Sequence, residues 1–374
     1  MQDFKSGTYI NQGSYKSFRP NEITRNWVVN DMRLINLLTQ ADRALGKLDM
    51  YSNYIPNIEL FISMHITKEA TQSSKIEGTQ TNMEEAVMEK ADISIEKRND
   101  WEEVQNYIEA MNTTIESLQQ LPFSSRLIKM AHKTLLQSVR GEHKMPGDFR
   151  TSQNWIGGPT ITTATFVPPV HTSIQELMAD IEKLVHEENN VLPDLLKIAL
   201  IHYQFETIHP FLDGNGRIGR LMITLFLVDK GILKKPILYL SDFLEKNRTH
   251  YYDNLTRVRE QNDLLHWFKF FLTGIIETAN KSISTFDSIM QLDKQVNEKL
   301  KSLGKRGAKA QSVINYMYQK PVINAQAVQK IIGSKNATAY SLIEDLVQLK
   351  IIKETTGNMR NRTYIFEDYI KLFK

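Results

Sequence analysis

The sequence predicts a mainly α-helical protein, on three observations. Residues 194–208 carry Leu195, Ile198, Ala199, Ile201 and Phe205 at helical spacing, and residues 218–228 are apolar enough for a buried helix, so two core helices flank one short glycine-rich stretch. Strand-like segments are few and short, at residues 160–167, 351–354 and 362–366. The composition, 41% hydrophobic and 24% charged over 374 residues, suits two or three domains with a real core. The absence of cysteine excludes disulfides and thiol or Cys-based zinc chemistry.

Along the chain, residues 1–20 read as irregular, anchored by Tyr9, Tyr15, Phe18 and Pro20. Residues 30–48 form an amphipathic helix, with Met32, Ile35, Leu38 and Leu45 roughly on one side, and 58–71 a second, with Leu60, Ile62, Met64 and Ile66. That helix runs into TQSSKIEGTQT (71–81), where Gly78 is a plausible cap and Glu77 by itself reads as a solvated acid. Residues 82–140 are expected to be helical, Trp101, Val104 and Tyr107 sharing one face and Ile128, Met130, Leu135 and Leu136 supporting a further helix, with Pro122 between them.

Residues 144–169 are rich in Gly, Pro and Thr, and 160–167 read as a short β-hairpin or an extended loop. Such a segment is either a connection or an edge on which a target peptide could lie by β-augmentation. An acidic amphipathic helix at 173–186 leads into the core. Beyond it Gly231 ends a helical run, 238–245 begins another, Tyr251, Tyr252 and Leu255 offer aromatic and apolar surface, and 266–275 closes the core. A polar helix at 276–304 and a linker at 304–307 reach helices at 311–318, 324–332 and 335–349, then strands at 351–354 and 362–366 around TGNMRN. Three helices followed by a hairpin is the order of a winged helix. From Lys305 onward there are 12 Lys and Arg against 5 acids, an excess of +7 in a chain whose net charge is +3, so the basic character belongs to this part alone. Lys335, Asn336, Thr338 and Tyr340, with Arg360 and Arg362 on the wing, could contact DNA; the same domain type also docks proteins or dimerises.

The chemistry concentrates in HPFLDGNGRIGR (209–220). A glycine-rich turn at a helix start points successive N–H groups at an anion, which makes a phosphate cradle. His209 could take a proton from a hydroxyl. Asp213 suits one corner of Mg²⁺, Asn215 could hydrogen-bond a phosphate oxygen, and Arg217 and Arg220, three residues apart, could grip phosphates bidentately. Two arginines beside so apolar a stretch need partners, because a buried charge is costly unless paired.

This string resembles the motif of the Fic family, H-x-F-x-[D/E]-G-N-G-R-x-x-R, at every defined position. The resemblance implies transfer of AMP from ATP to a Ser, Thr or Tyr hydroxyl of a target protein, the protein itself included. It makes His209 the base, Asp213 the Mg²⁺ ligand, Asn215 with the Gly214 and Gly216 amides the phosphate binders, Arg217 and Arg220 the grip on the outer phosphates, and Phe211 the anchor of the loop. Ser73 to Gly78 fits the family's inhibitory motif [S/T]-x-x-x-E-[G/N], so Glu77 is expected to pair with Arg220 and hold the site closed. Tyr251 and Tyr252 match a Tyr-Tyr-x-x-Leu run that lines the adenine and ribose pocket. Gly147, Phe149, Arg150, Asn154 and Ile156 resemble the lead-in to a substrate flap, with Phe166 and Pro168 near its tip.

The resulting expectation is an N-terminal helical region with the inhibitory helix (1–110), a Fic core with a small hairpin flap (111–290) and a winged-helix domain (305–374). A homodimer burying the inhibitory face is implied by the resemblance alone. The alternatives are another nucleotide donor, removal of AMP from a modified target, or a DNA-bound regulator whose core senses nucleotide; intact His209 disfavours the last. Residues 1–11 lack a basic start and apolar run, and no uninterrupted apolar stretch has the length of a membrane span, so a cytoplasmic protein without a membrane partner is expected.

Overall fold

The computed structural model describes residues 3–137, 141, 143–187, 191–355 and 362–374. The chain starts with an antiparallel hairpin rather than the expected irregular segment: β1 (Gly7–Asn11) pairs with β2 (Lys16–Pro20), Gly7 opposite Pro20 and Asn11 opposite Lys16. Its apolar alternation is weak because one strand stays exposed. Phe18 is buried while Tyr9 and Ile10 face outward, so the pairing depends on a surface supplied from elsewhere in the chain.

Two long helices follow, α1 (Met32–Tyr54) and α2 (Glu59–Ile76). Asp31 caps α1 by accepting the Leu34 N–H at 2.7 Å. Helix α2 continues past residue 71, where its composition turns polar, because Ser73 and Ser74 are fully buried and find packing there. It ends at Ile76, and Gly78, at φ +103°, takes the left-handed position just beyond the cap residue Glu77.

The middle of the chain is α3 (Met83–Ala86), α4 (Arg98–Ser117), α5 (Ser125–Leu135), α6 (Ile174–His186), α7 (Asp194–Ile208), α8 (Asn215–Asp229), α9 (Ser241–Lys246) and α10 (Arg248–Gln261). Helix α9 begins later than residue 238, since Ile237 to Leu240 cross the core as buried non-helical chain. Helices α7 and α8 are buried on almost every side, as their composition requires.

The expected helices at 266–275 and 276–304 are one, α11 (Leu264–Lys301), 38 residues long. No proline interrupts it, and its buried face continues through Ala279, Ile283, Phe286 and Ile289, with α1 packed alongside. The boundary expected at residue 110 falls inside α4, and one continuous hydrophobic core joins both sides of it.

The C-terminal part contains α12 (Gly307–Gln319), β3 (Val322–Asn324), α13 (Ala325–Ile332), α14 (Asn336–Gln348), β4 (Lys353–Glu354), β5 (Thr363–Ile365) and α15 (Glu367–Lys371). Its antiparallel sheet has the order β3-β5-β4, so the expected hairpin strands gain a third from a segment not read as a strand. The Gly357–Asn358 turn and Arg360 lie outside the described residues. In place of a linker at 304–307 a single 3₁₀ turn runs straight into α12.

The C-terminal part docks directly on α2. Tyr318 meets Phe61 edge-on at 4.9 Å, Phe373 meets His65 at 5.0 Å, and the Ser63 hydroxyl donates to the Gln319 carbonyl at 2.8 Å.

Candidate active site

The loop between α7 and α8 is shaped by its own residues. His209 ends α7 in the left-handed region at φ 49°, and Gly214 at φ 74° turns the chain into α8. A Cβ on Gly214 would lie 3.2 Å from Leu135, so glycine answers both the turn and the close approach. Phe211, fully buried, pins the loop, stacked on His132 at 3.7 Å. The amides of Asn215, Gly216 and Arg217 open α8 and have no intrahelical partner, which leaves a row of donors facing one point.

The Asn215 side chain does not face a ligand, contrary to its expected role. Its Oδ1 accepts the Phe211 N–H at 2.8 Å and its Nδ2 donates to the Phe211 carbonyl at 2.8 Å, so both amide atoms brace the loop. What this residue offers an anion is its backbone N–H.

Two further residues support the loop: His132, which motif reasoning did not weigh, and Arg150, which it placed only in the lead-in to the flap. His132, on α5, accepts the Gly147 N–H at Nδ1 (2.9 Å), which places its proton on Nε2 to donate to the Asp213 carbonyl at 3.0 Å. Burial lowers its pKa to about 4, so it stays neutral. A histidine on the apolar face of an amphipathic helix, among Leu127, Ile128 and Leu135, was the available signal. Arg150, 2% exposed, donates to the carbonyls of His209 (3.0 Å), Ser152 (3.0 Å) and Pro169 (2.6 Å), tying the loop to the following segment.

His209 is half-buried, and burial lowers its pKa to about 4 against a smaller opposing pull from Glu77. The imidazole is therefore neutral at pH 7, the form that accepts a proton, and among the described residues its Nδ1 has no hydrogen-bond partner. Asp213 uses Oδ1 for the Gly214 N–H (2.5 Å) and, at 3.5 Å, Arg217, while its side chain remains 44% exposed. Among the described residues no three His, Asp or Glu gather into a metal site. A magnesium ion would fit here only with Asp213 as one corner and ligand phosphate oxygens as others.

The two arginines have different partners. Arg217 reaches Glu103 of α4 at 3.3 Å, an acid that sequence reasoning passed over. Arg220, 2% exposed, donates from Nε to the Ser73 hydroxyl (2.8 Å) and from NH2 to the Ser73 carbonyl (2.9 Å) and to Glu77 Oε1 (2.6 Å). Burial alone would raise the Glu77 pKa, but the charge and hydrogen bond of Arg220 outweigh it and the net shift is downward. Glu77 lies where a Cβ on Gly216 would be, 2.2 Å from its Oε1, so glycine at 216 is what admits the carboxylate. The carboxylate thus stands over the amide row, beside the guanidinium that an anion there would seek.

The tyrosine pair is split. Tyr251 is 1% exposed, its hydroxyl bonded to His202 Nε2 at 2.8 Å, and is a core residue. Tyr252, 40% exposed, remains available to a ligand. Residues 160–167 form no ladder: a 3₁₀ turn at Ile161–Thr163 hangs from a single bridge between Ile156 and Phe166. Phe166 and Pro168 are buried at the base of this loop, not near its tip, because Phe166 packs on Phe18 and under Arg259, 4.0 Å above its ring.

The family model described as Fic/DOC family N-terminal matches residues 35–116, and that described as Fic/DOC family matches 122–227. A probable protein adenylyltransferase of Aquifex aeolicus is 28% identical over 218 residues, 56% of this chain and 59% of that protein. The protein adenylyltransferase Fic of Aedes aegypti is 30% identical over 125 residues, 33% of this chain and 22% of that protein. The chain thus spans well under two thirds of these relatives. Among solved structures, a Fic family protein from Desulfovibrio desulfuricans shares the fold over 91% of this chain and 98% of its own (TM-score 0.58, 20% identity). A Fic-1 fragment from C. elegans does so over 69% and 74% (TM-score 0.52, 20% identity).

Proposed function

The chain belongs to the Fic/DOC family, and from that premise we propose that it is a protein adenylyltransferase, moving AMP from ATP to a Ser, Thr or Tyr hydroxyl, with Glu77 holding the site closed. The observation that carries this is the Glu77–Arg220 pair at 2.6 Å, set over free helix-start amides and beside a neutral His209. A triphosphate lying along the amides of Asn215 to Arg217 would have its charge met by fixed dipoles and by Arg217 and Arg220. Asp213 would hold Mg²⁺, which supplies charge neutralisation on the phosphates when bound. His209 Nδ1 or Nε2 takes the proton of the attacking hydroxyl as its oxygen bonds to the α-phosphorus and pyrophosphate leaves.

While Glu77 occupies Arg220, the partner of the outer phosphate is taken and a negative charge lies beside it. Nucleotide could still bind, but not in the productive pose. Incubation of wild type, Glu77→Gly and His209→Ala with α-labelled ATP and Mg²⁺, followed by intact mass, tests this. One added AMP is expected, at a rate at least about tenfold higher in Glu77→Gly, and none in His209→Ala. Equal labelling of all three would sink both roles; a label carried by another nucleotide would keep the chemistry and change the donor.

A nucleic-acid role for the C-terminal part draws on one observation. Lys335, Asn336, Thr338 and Tyr340 are exposed along the start of α14, as a winged helix would present them to a groove. Duplex affinity that falls steeply with salt would support it, and salt-independent capture of a protein would replace it.

A further inference from the structure

Outside the loop, α2, α9, α11 and the C-terminal part enclose a cavity of about 170 Å³. Lys68 of α2, Lys246 of α9 and Lys281 of α11 converge on it. Asp242 pairs with Lys246 at 3.1 Å and with Lys281 at 2.5 Å, and Glu277 lies exposed at the rim. Glu69, on the floor, is already committed to the N–H and hydroxyl of Ser241 at 3.1 and 2.5 Å. Among the described residues no carboxylate lies within ion-pair distance of Lys68, so of the three lysines it alone has no ion pair.

The opposite wall is aromatic: His65, Tyr239, Phe243 and Phe373, each at least nine-tenths buried. His65, 5% exposed, has an Nε2 with no hydrogen-bond partner among the described residues, and burial lowers its pKa to about 3, so it offers a neutral polar atom. Burial, together with its lysine neighbours and against the pull of Asp242, lowers the Lys68 pKa to about 8; an anion beside it would relieve that strain. The volume lies below the range of sites for drug-sized molecules, which suits a ligand of one ring rather than a nucleotide.

We propose that this cavity binds a small aromatic anion, its ring against His65, Tyr239 and Phe373 and its phosphate or carboxylate head beside Lys68 and Lys281. Lys68 lies on α2 nine residues and about 14 Å before its cap residue Glu77, so an occupant would sit against the helix that positions that acid. The inference is independent of the transfer activity and is read by binding alone.

Calorimetric titration of the full chain with phenyl phosphate, benzoate, phenol and inorganic phosphate is the test. Phenyl phosphate or benzoate is expected to bind at least about tenfold more tightly than phenol and inorganic phosphate, the difference one charged contact or one buried ring makes. Lys68→Gln and Lys281→Gln should each weaken it about tenfold while melting like wild type; Lys68, lacking an ion pair, can be neutralised without orphaning a partner. Binding unchanged in both variants, phenol binding as tightly as the anions, or no heat at about 10 mM ligand would each overturn the site.

Discussion

The C-terminal end of α2 and the middle of α4 present the same chemistry to α8 in opposite ways. Each supplies a glutamate to one of two arginines on that helix. Glu103 lies within α4 with its side chain 9% exposed, held on a rigid element, and Thr79 adds a hydrogen bond at 3.2 Å. Glu77 is the cap residue of α2, its side chain 35% exposed, and the chain turns away at Gly78. Arg220 keeps both Ser73 contacts when Glu77 departs, whereas Arg217 would be left with Asp213 at 3.5 Å. A carboxylate at a helix end, where the chain turns away and its guanidinium keeps two hydrogen bonds to Ser73, is released more readily than one held inside a helix.

The largest effect that would break this contrast is on stability. Glu103→Ala should cost about 3–5 kcal/mol, the usual penalty for orphaning a buried ion-pair partner, and Glu77→Gly distinctly less, measured by denaturant unfolding. Equal losses would mean that Glu77 is as structural as Glu103.

A third acid sharpens the electrostatics. Glu206, 7% exposed, has an Oε1 with no partner among the described residues, and burial raises its pKa to about 7, against the opposing pull of Arg220 and with a push from Glu77. An acid whose folded pKa is raised loses stability as pH climbs from its unfolded value near 4.5 to about 7, and the loss then stays. Glu206→Gln should therefore be more stable than wild type at pH 8, by up to about 3 kcal/mol, with the difference closing as pH falls toward 4.5. A constant difference across that window would rule out the titration. For Glu77 the sign is reversed: its lowered pKa keeps the pair with Arg220 charged at neutral pH, and its contribution, full above the ordinary carboxylate value, fades as pH falls below that value.

The smallest effect concerns Ser73. Ser73→Ala removes the hydroxyl acceptor but leaves the carbonyl, so Arg220 loses one bond worth about 1 kcal/mol. Automodification should rise roughly fivefold at most, well below Glu77→Gly. A larger gain would show that Ser73, not Glu77, is the main restraint on Arg220.

Much of the centre could be read from the chain. The buried α7 and α8, the turn at Gly214 and the cap at Gly78 appear where hydrophobic pattern and turn chemistry place them, because these are local properties. The N-terminal hairpin and β3 escaped notice, since both pair on surfaces brought from elsewhere. The continuity of α11 was hidden by a change of composition midway, although its buried face runs on and α1 lies along both sides of that change, from Asp31 beside Lys269 to Tyr51 beside Asp287. The tip and base of the 160–167 loop were exchanged because Phe166, hydrophobic and two residues before Pro168, finds its burial under Arg259 and beside Phe18.

By itself the sequence pointed to the family and to the residues that meet at the loop, because twelve consecutive positions carry a histidine, an acid, a glycine turn and two arginines whose spacing alone puts them on one loop and one helix face. Only the tertiary structure decided how those groups are employed. It turned the Asn215 amide inward, sent Tyr251 into the core, and gave Arg217 and Arg220 partners 114 and 147 residues away in the chain, Glu103 and Ser73. Buried charge demands a partner, and the demand is written locally; which distant residue meets it depends on how the helices pack.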